Sequence, residues 1–219
     1  MTQTILEMKD LGFSVNQQKI LSNITLDVTS GDLITISGPS GSGKSTLLKI
    51  ISGMASQTSG SITYKGKNIT DYPTTEYRKE VSYFFQSPVL FGETVKDNLI
   101  FPSEIREEAF DEDRAAELLS AVQLSKDYLD KDIHSLSGGE KQRIAFIRNL
   151  MYLPSILLLD EITSALDDEN REIIHRLIKT LNETHHCTIL WVTHNQEEYL
   201  SSNKRLYITE GRIQEVHNG

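Results

Sequence analysis

The residues best suited to chemistry stand together near the N-terminus: Gly38-Pro39-Ser40-Gly41-Ser42-Gly43-Lys44-Ser45, followed by Thr46. Their spacing is that of a phosphate-binding loop, G-x-x-x-x-G-K-S. Glycines let backbone N–H groups turn inward around phosphate oxygens. A helix opening at Lys44 adds its positive dipole end. Lys44 can reach the β- and γ-phosphates of a nucleotide, and the Ser45 hydroxyl can ligate Mg²⁺. Thr46 is counted with the nucleotide-contacting residues, although its side chain faces elsewhere.

Two later stretches complete the chemistry. Leu157-Leu158-Leu159-Asp160-Glu161 is an apolar strand ending in two carboxylates. Asp160 can hold the Mg²⁺ shell, and Glu161 can polarise an attacking water as general base. Leu136-Ser137-Gly138-Gly139-Glu140-Lys141-Gln142-Arg143 opens a helix. One reading is a capping box, with Ser137 at the cap and Glu140 three residues on. That leaves Gly138 and Gly139 without a reason, whereas a second phosphate-binding helix end accounts for both glycines as well.

These residues need elements to hold them. Ile24, Leu26 and Val28 alternate with polar neighbours as a half-buried strand, and residues 33–37 form a second strand that feeds the glycine-rich loop. Residues 44–52 predict a mostly apolar helix ended by Gly53. Strands are expected at 61–64, 81–85, 156–159 and 188–192, helices at 139–153 and 168–183, and a terminal hairpin from 206–208 and 212–216. Residues 94–132 change character, becoming helical and acidic, with one apolar face at Leu118, Leu119 and Val122. Strands alternating with helices predict an α/β fold.

The 219 residues carry 22 Lys and Arg against 31 Asp and Glu, a net charge of −9 that argues against a nucleic-acid partner. The single cysteine, Cys187, excludes an intrachain disulfide. No apolar run nears the roughly 18 residues that cross a bilayer, and Met1 to Asp10 has no secretory pattern. A cytosolic location is expected, with any membrane-spanning part supplied by another polypeptide. His185-His186-Cys187 resembles a metal cluster, but adjacent residues entering a strand point in opposite directions and cannot share one ion. His134 and the pair Lys204 and Arg205 are expected at the surface, and Trp191 in the core.

The LSGGEKQR segment resembles the signature of the ATP-binding cassette (ABC) ATPases, and further family motifs are present. Gln86, within Phe84-Phe85-Gln86-Ser87-Pro88, resembles the Q-loop glutamine. Ser164-Ala165-Leu166-Asp167 resembles the D-loop, and His194, after Trp191-Val192-Thr193, the switch histidine. The resemblance implies one domain over residues 1–219. Residues 1–93 and 133–219 would form the P-loop NTPase core with an antiparallel β-subdomain, and residues 94–132 an inserted helical subdomain. It implies ATP and Mg²⁺ as cofactors and an ATP-sandwich dimer. In that dimer the Ser137, Gly138 and Gly139 segment of one copy faces the loop of the other. Gln86 would sense Mg²⁺ and the attacking water beside the surface that meets a multi-spanning membrane permease. His194 would hold the γ-phosphate and position Glu161, and Asp167 would signal between sites.

The sequence departs from the family pattern in places. Val15 stands where the family stacks adenine on an aromatic, and Phe13, on the same strand face, is the expected substitute. Ile162 replaces the proline common after the catalytic glutamate. The interval between loop and signature is too short for the coiled coils of chromosome and repair ATPases, and one cassette argues against a translation factor. Asp97-Asn98-Leu99-Ile100-Phe101-Pro102, Leu159 to Asp167 and Leu190 to His194 resemble the bacterial Fet-type (Ybb) ATP-binding subunits. That likeness implies powering metal (iron) export; the alternative is an ABC transporter for another small substrate, an importer or a lipid or peptide exporter, and after it a non-transport ABC ATPase.

Overall fold

Every residue of Ile156–Asp160 is buried, which requires cover on both faces of that strand. The computed structural model, which describes residues 3–87 and 89–218, supplies it. Strand β7 (Ile156–Asp160) lies in a six-stranded sheet beside β6 (Val81–Phe84) and β8 (Thr188–Val192). The sheet continues through β3 (Leu33–Ser37), β9 (Lys204–Thr209) and β10 (Arg212–Asn218). All neighbours run parallel except β10, which closes a hairpin at the edge.

Alternate residues of the central strands feed two separate cores. Ile156, Leu158, Leu190 and Val192 face one, and Leu157, Leu159, Ile189 and Trp191 the other. The first core encloses helix α1 (Lys44–Ile51) beneath a second, antiparallel sheet. That sheet has the order β2-β1-β4-β5, from β1 (Thr4–Val15), β2 (Gln18–Thr29), β4 (Ser59–Tyr64) and β5 (Lys67–Asn68). The other core is covered by α5 (Gly138–Arg148) and by α6 (Asp168–Glu183), which buries Ile173, Ile174, Leu177, Ile178 and Leu181 along one stripe. The short helix α2 (Thr74–Glu80) links the two sheets. No described helix is long and apolar enough to cross a membrane.

Residues 94–132 carry α3 (Val95–Glu104) and α4 (Glu112–Ala121), packed on α5. A bridge between Thr94 and Asp132 closes the segment, flanked by Val95 N–H to Lys131 O at 3.1 Å and Ile133 N–H to Glu93 O at 3.0 Å. Asn98, fully buried, fastens it to the core. Its amide donates to Phe91 O at 2.8 Å and Thr94 O at 3.1 Å. Its oxygen accepts Phe91 N–H at 3.1 Å and Arg148 Nη1 at 3.0 Å.

Two expectations need correction. Helix α5 stops at Arg148 rather than running to Leu153. The N–H groups of Asn149 and Leu150 bond three residues back, to Phe146 O and Ile147 O, and the tightened turn drives Leu150 and Met151 into the core. Lys204 and Arg205 are half-buried rather than solvated, and Lys204 Nζ donates to Asp27 O at 2.7 Å, tying the parallel sheet to β2.

Replacing Asn98 with alanine strands buried backbone groups and one partner of Arg148. Asn98→Ala should lose about 2–4 kcal/mol of stability, seen as a lower urea midpoint with an unchanged slope.

Candidate active site

The carboxyl ends of β3, β6, β7 and β8 lie along one edge of the parallel sheet, where open α/β sheets place their ligands. From β3 the chain passes through residues 38–43 into α1. Gly38 has φ +142°, and a Cβ there would meet Ile208 O at 1.9 Å, so the loop passes against β9 where only glycine fits. Gly43 has φ +103° and would clash with Leu21 Cδ2 at 2.6 Å. Ser42 N–H donates to Pro39 O at 3.2 Å and folds the loop over the helix start. No side chain caps α1, and no acidic residue stands in its first turn. Its N-terminal N–H groups and dipole are therefore unanswered from within. Lys44 curls back to donate to Gly38 O and Pro39 O, both at 2.9 Å. Burial lowers its pKa, opposed by the nearby Glu161 and Asp160 charges.

Asp160, at the end of β7, is buried and doubly bonded. Ser45 Oγ donates to Oδ1 at 2.8 Å and Tyr83 Oη to Oδ2 at 2.6 Å. A hydroxyl and a carboxylate in contact are hard oxygen donors, the set that suits Mg²⁺. Glu161 follows with φ +51°, a left-handed conformation for a non-glycine residue. Its N–H bonds Val192 O at 3.0 Å. The carboxylate is held from two sides, by Gln86 Nε2 at 3.2 Å and His194 Nε2 at 2.9 Å. Loop lysine, metal-type oxygens and a general-base candidate thus share one edge. Ile162 is buried in the second core, and its carbonyl accepts from the Gln142 amide of α5. An apolar side chain is what that position needs.

The Ser137 segment lies apart from this group, with no hydrogen bond to residues 38–46 among the described residues. The capping box is present. Ser137 N–H donates to Glu140 Oε2 at 2.7 Å and Ser137 Oγ accepts Glu140 N–H at 3.2 Å. Tyr128 Oη, foremost among several donors, lowers the Glu140 pKa to about 2. A Cβ on Gly139 would meet Asn170 Nδ2 at 2.6 Å, so packing against α6 accounts for that glycine. Gly138 would meet nothing within 4 Å, so no contact within the chain demands a glycine there. Asp167 caps α6 and accepts both N–H and Nδ2 of the same Asn170, each at 2.8 Å.

Other sequence candidates fall elsewhere. Phe13 pairs with Leu21, the residue that abuts Gly43, but its ring packs against the first core, and Val15 is 48% exposed. Thr46 is half-buried on α1. Cys187 turns inward, 3.3 Å from Pro154 O, with burial pushing its pKa up to about 12, while His185 and His186 point outward. Pro88 lies outside the described residues. Tyr83 escapes sequence reasoning because it acts through Asp160, 77 residues further along the chain, and Thr193 because its hydroxyl bonds Glu198, an acid that no sequence motif singles out.

Comparison with known proteins agrees with this geometry. The ABC transporter family matches residues 21–164. A relative from Escherichia coli (strain K12), named as the probable iron export ATP-binding protein FetA, is 43% identical over 97% of this chain and 95% of its own. The sulfate/thiosulfate import ATP-binding protein CysA of Pseudomonas syringae pv. tomato is 37% identical over 96% of this chain and 66% of that longer protein. Among solved structures, a dimeric ATP-binding cassette in a post-hydrolysis state bound to ADP and Pi superposes with a TM-score of 0.86. It is 28% identical and covers 98% of each chain. With its phosphate loop, paired carboxylates and capped signature helix on one such scaffold, the chain belongs to the ABC transporter family as an ATP-binding subunit, an ATPase whose hydrolysis is coupled to transport.

Proposed function

We propose that this cassette drives a separate membrane permease that exports metal, with iron as the cargo. The observation that carries the cargo is the 43% identity, over nearly the full length of both chains, to a probable iron export ATP-binding protein. The importer relative is less similar and spans a longer protein. The metal would cross through the permease, and the cassette would stay at the cytoplasmic face of the membrane through that partner.

The residues divide the work as follows. The N–H groups of Gly41, Gly43, Lys44, Ser45 and Thr46, at the uncapped start of α1, bind the phosphates, and Lys44 swings from its carbonyl partners onto the β- and γ-oxygens. Ser45, Asp160 and Gln86 would hold Mg²⁺, which neutralises phosphate charge when bound. Glu161 takes a proton from water. His194 orients that carboxylate and meets the γ-phosphate. Phe13 would lie near the adenine. A second copy completes each site, bringing the N–H groups of Gly138 and Gly139 and the Ser137 hydroxyl to the γ-phosphate. The open space around Gly138 supports such an approach.

The permease would dock beside Gln86 and reach a groove of about 400 Å³ between the core and α3, which Phe91, five residues further on, helps to line. Phe91, Phe101, Ile105 and Tyr152 line it, with Arg106 and Arg148 among them. Phe91, Phe101 and Ile105 are exposed apolar side chains, the mark of an interaction surface. In this reading residues 1–219 are one ABC ATPase domain, and residues 94–132 are the helical subdomain that carries one wall of the groove.

Three outcomes test it. Glu161→Gln should bind a fluorescent ATP analogue as the parent does but release phosphate about 10²–10⁴-fold more slowly, or about 3–5 kcal/mol of barrier. Parental turnover would remove Glu161 as the base. With Mg·ATP the same variant should sediment as a dimer. Adding Ser137→Arg should return it to monomer, and a persistent dimer would rule out the sandwich. Deleting the gene should raise cellular iron and peroxide sensitivity, uncorrected by a Glu161→Gln copy. Unchanged iron by elemental analysis would reject iron as cargo and leave the ATPase intact.

A further inference from the structure

Glu198 is a carboxylate kept from water. It lies on helix α7 (Gln196–Leu200) with its side chain 0% exposed. The Thr193 hydroxyl donates to Oε2, and His175 Nε2 of α6 stands 2.7 Å from Oε1. Burial pushes the Glu198 pKa up, but hydrogen bonds from His175, Thr193 and Thr163 hold it below its ordinary value. An ionised carboxylate inside a protein is costly unless its oxygens are bonded in this way. Local structure has no need of it. Asn195 Oδ1 already caps α7, accepting the N–H groups of Glu197 at 2.8 Å and Glu198 at 3.3 Å. Ser202 and the Tyr199 carbonyl already fasten the far end of α7 to Thr35 of β3.

The bonds of Glu198 reach the two segments that carry the hydrolytic pair. Thr193 immediately precedes His194, and His175 stands on α6, whose capping residue Asp167 closes the loop that starts at Glu161. Thr193 also accepts Asn195 N–H at 2.9 Å and donates its own N–H to Ile36 O of β3 at 3.1 Å, one residue before the strand's end. His194 and Glu161 meet at 2.9 Å on the far side of these segments. His175 is steadied in turn, its Nδ1 3.8 Å from Glu172 Oε1 and its ring against Trp191 at 5.5 Å between centroids.

We propose that Glu198 is a positioning residue for ATP hydrolysis, a buried clamp completed by His175 that fixes the segments bearing Glu161 and His194 relative to each other. This rests on the assignment of those two residues to catalysis. The clamp acts on geometry at the γ-phosphate and leaves the phosphate loop untouched, so it changes turnover and not nucleotide affinity.

The test uses the full chain with Mg·ATP. Glu198→Ala should lower kcat about 10–100-fold, the scale of a small misplacement of catalytic groups, with KM and the affinity for a fluorescent ATP analogue within about twofold of the parent. Glu198→Gln keeps an acceptor for Thr193 and should recover most of the loss. In single-turnover hydrolysis, Glu198→Ala should add little to His194→Ala, because both disturb one unit. If Glu198→Ala does not fold, Thr193→Val and His175→Gln carry the same expectation with smaller losses. An unchanged kcat, a loss matched by weaker ATP binding, or a fully multiplicative loss in the double variant would reduce Glu198 to a structural residue. Parental hydrolysis by Glu161→Gln and His194→Ala would overturn the catalytic assignment and the clamp together. Loss of activity in those two variants with none in Glu198→Ala would overturn the clamp alone.

Discussion

Helix α1 begins beneath the glycine-rich loop without a capping side chain or an acidic residue in its first turn. The other described helices of eight residues or more are treated differently. Thr94, Asp111, Ser137 and Asp167 each cap one, and each has a carboxylate in its first turn. Four N–H groups and a partial positive charge at the start of α1 are therefore left for a ligand. The surroundings keep it so. Gly38 and Gly43 hold the loop against β9 and β2 at distances no side chain could share. Lys44, the charge nearest the gap, parks on loop carbonyls instead of a carboxylate. The phosphates of ATP satisfy in one step what the fold leaves open.

The parallel sheet makes that opening catalytic by bringing other strand ends to it. Adjacent strands place Ser37, Asp160 and Thr193 at neighbouring positions along one edge. The continuous apolar run of β7 is the requirement for this, since the strand that carries Asp160 to the edge is covered on both faces and only apolar side chains can fill both cores. Residues 94–132 are joined differently, through the Thr94 and Asp132 bridge, the Asn98 amide and packing on α5. Their apolar side chains Val95, Leu99, Leu118 and Leu119 share one core with Leu157, Leu159 and Ile162, so the segment is packed against the strand that carries Asp160.

The sequence shows most plainly the parts whose physics is local. The loop spacing, the strand before it, the apolar run of β7 and the stripe of α6 each follow from neighbours in the chain, and the structure has them at the expected residues. What it hides depends on distant contacts. Helix α5 ends early because Leu150 and Met151 have a core to enter, which no local stop signal records. Gly139 reads as a ligand-contacting glycine, yet a Cβ there would also press on the Asn170 amide of another helix at 2.6 Å and displace it from Asp167. Tyr83 is one aromatic in an apolar strand until β6 is set beside β7 and its hydroxyl finds Asp160. Glu198 reads as one acid among several in a short helix until α6 supplies His175.

The residues that mark the likeness to Fet-type subunits have a physical explanation of the same kind. Asn98 is fully buried and organises the base of the helical segment, and Ile162 fills the second core beside Glu161. Neither faces a site that could hold a metal ion, and among the described residues no three His, Cys, Asp or Glu side chains gather to bind one. The likeness therefore lies in how the chain packs around Glu161 and at the base of residues 94–132. Phe101 of α3 walls the groove that Phe91 also lines, and both sit over the Asn98 anchor, whose amide donates to Phe91 O at 2.8 Å.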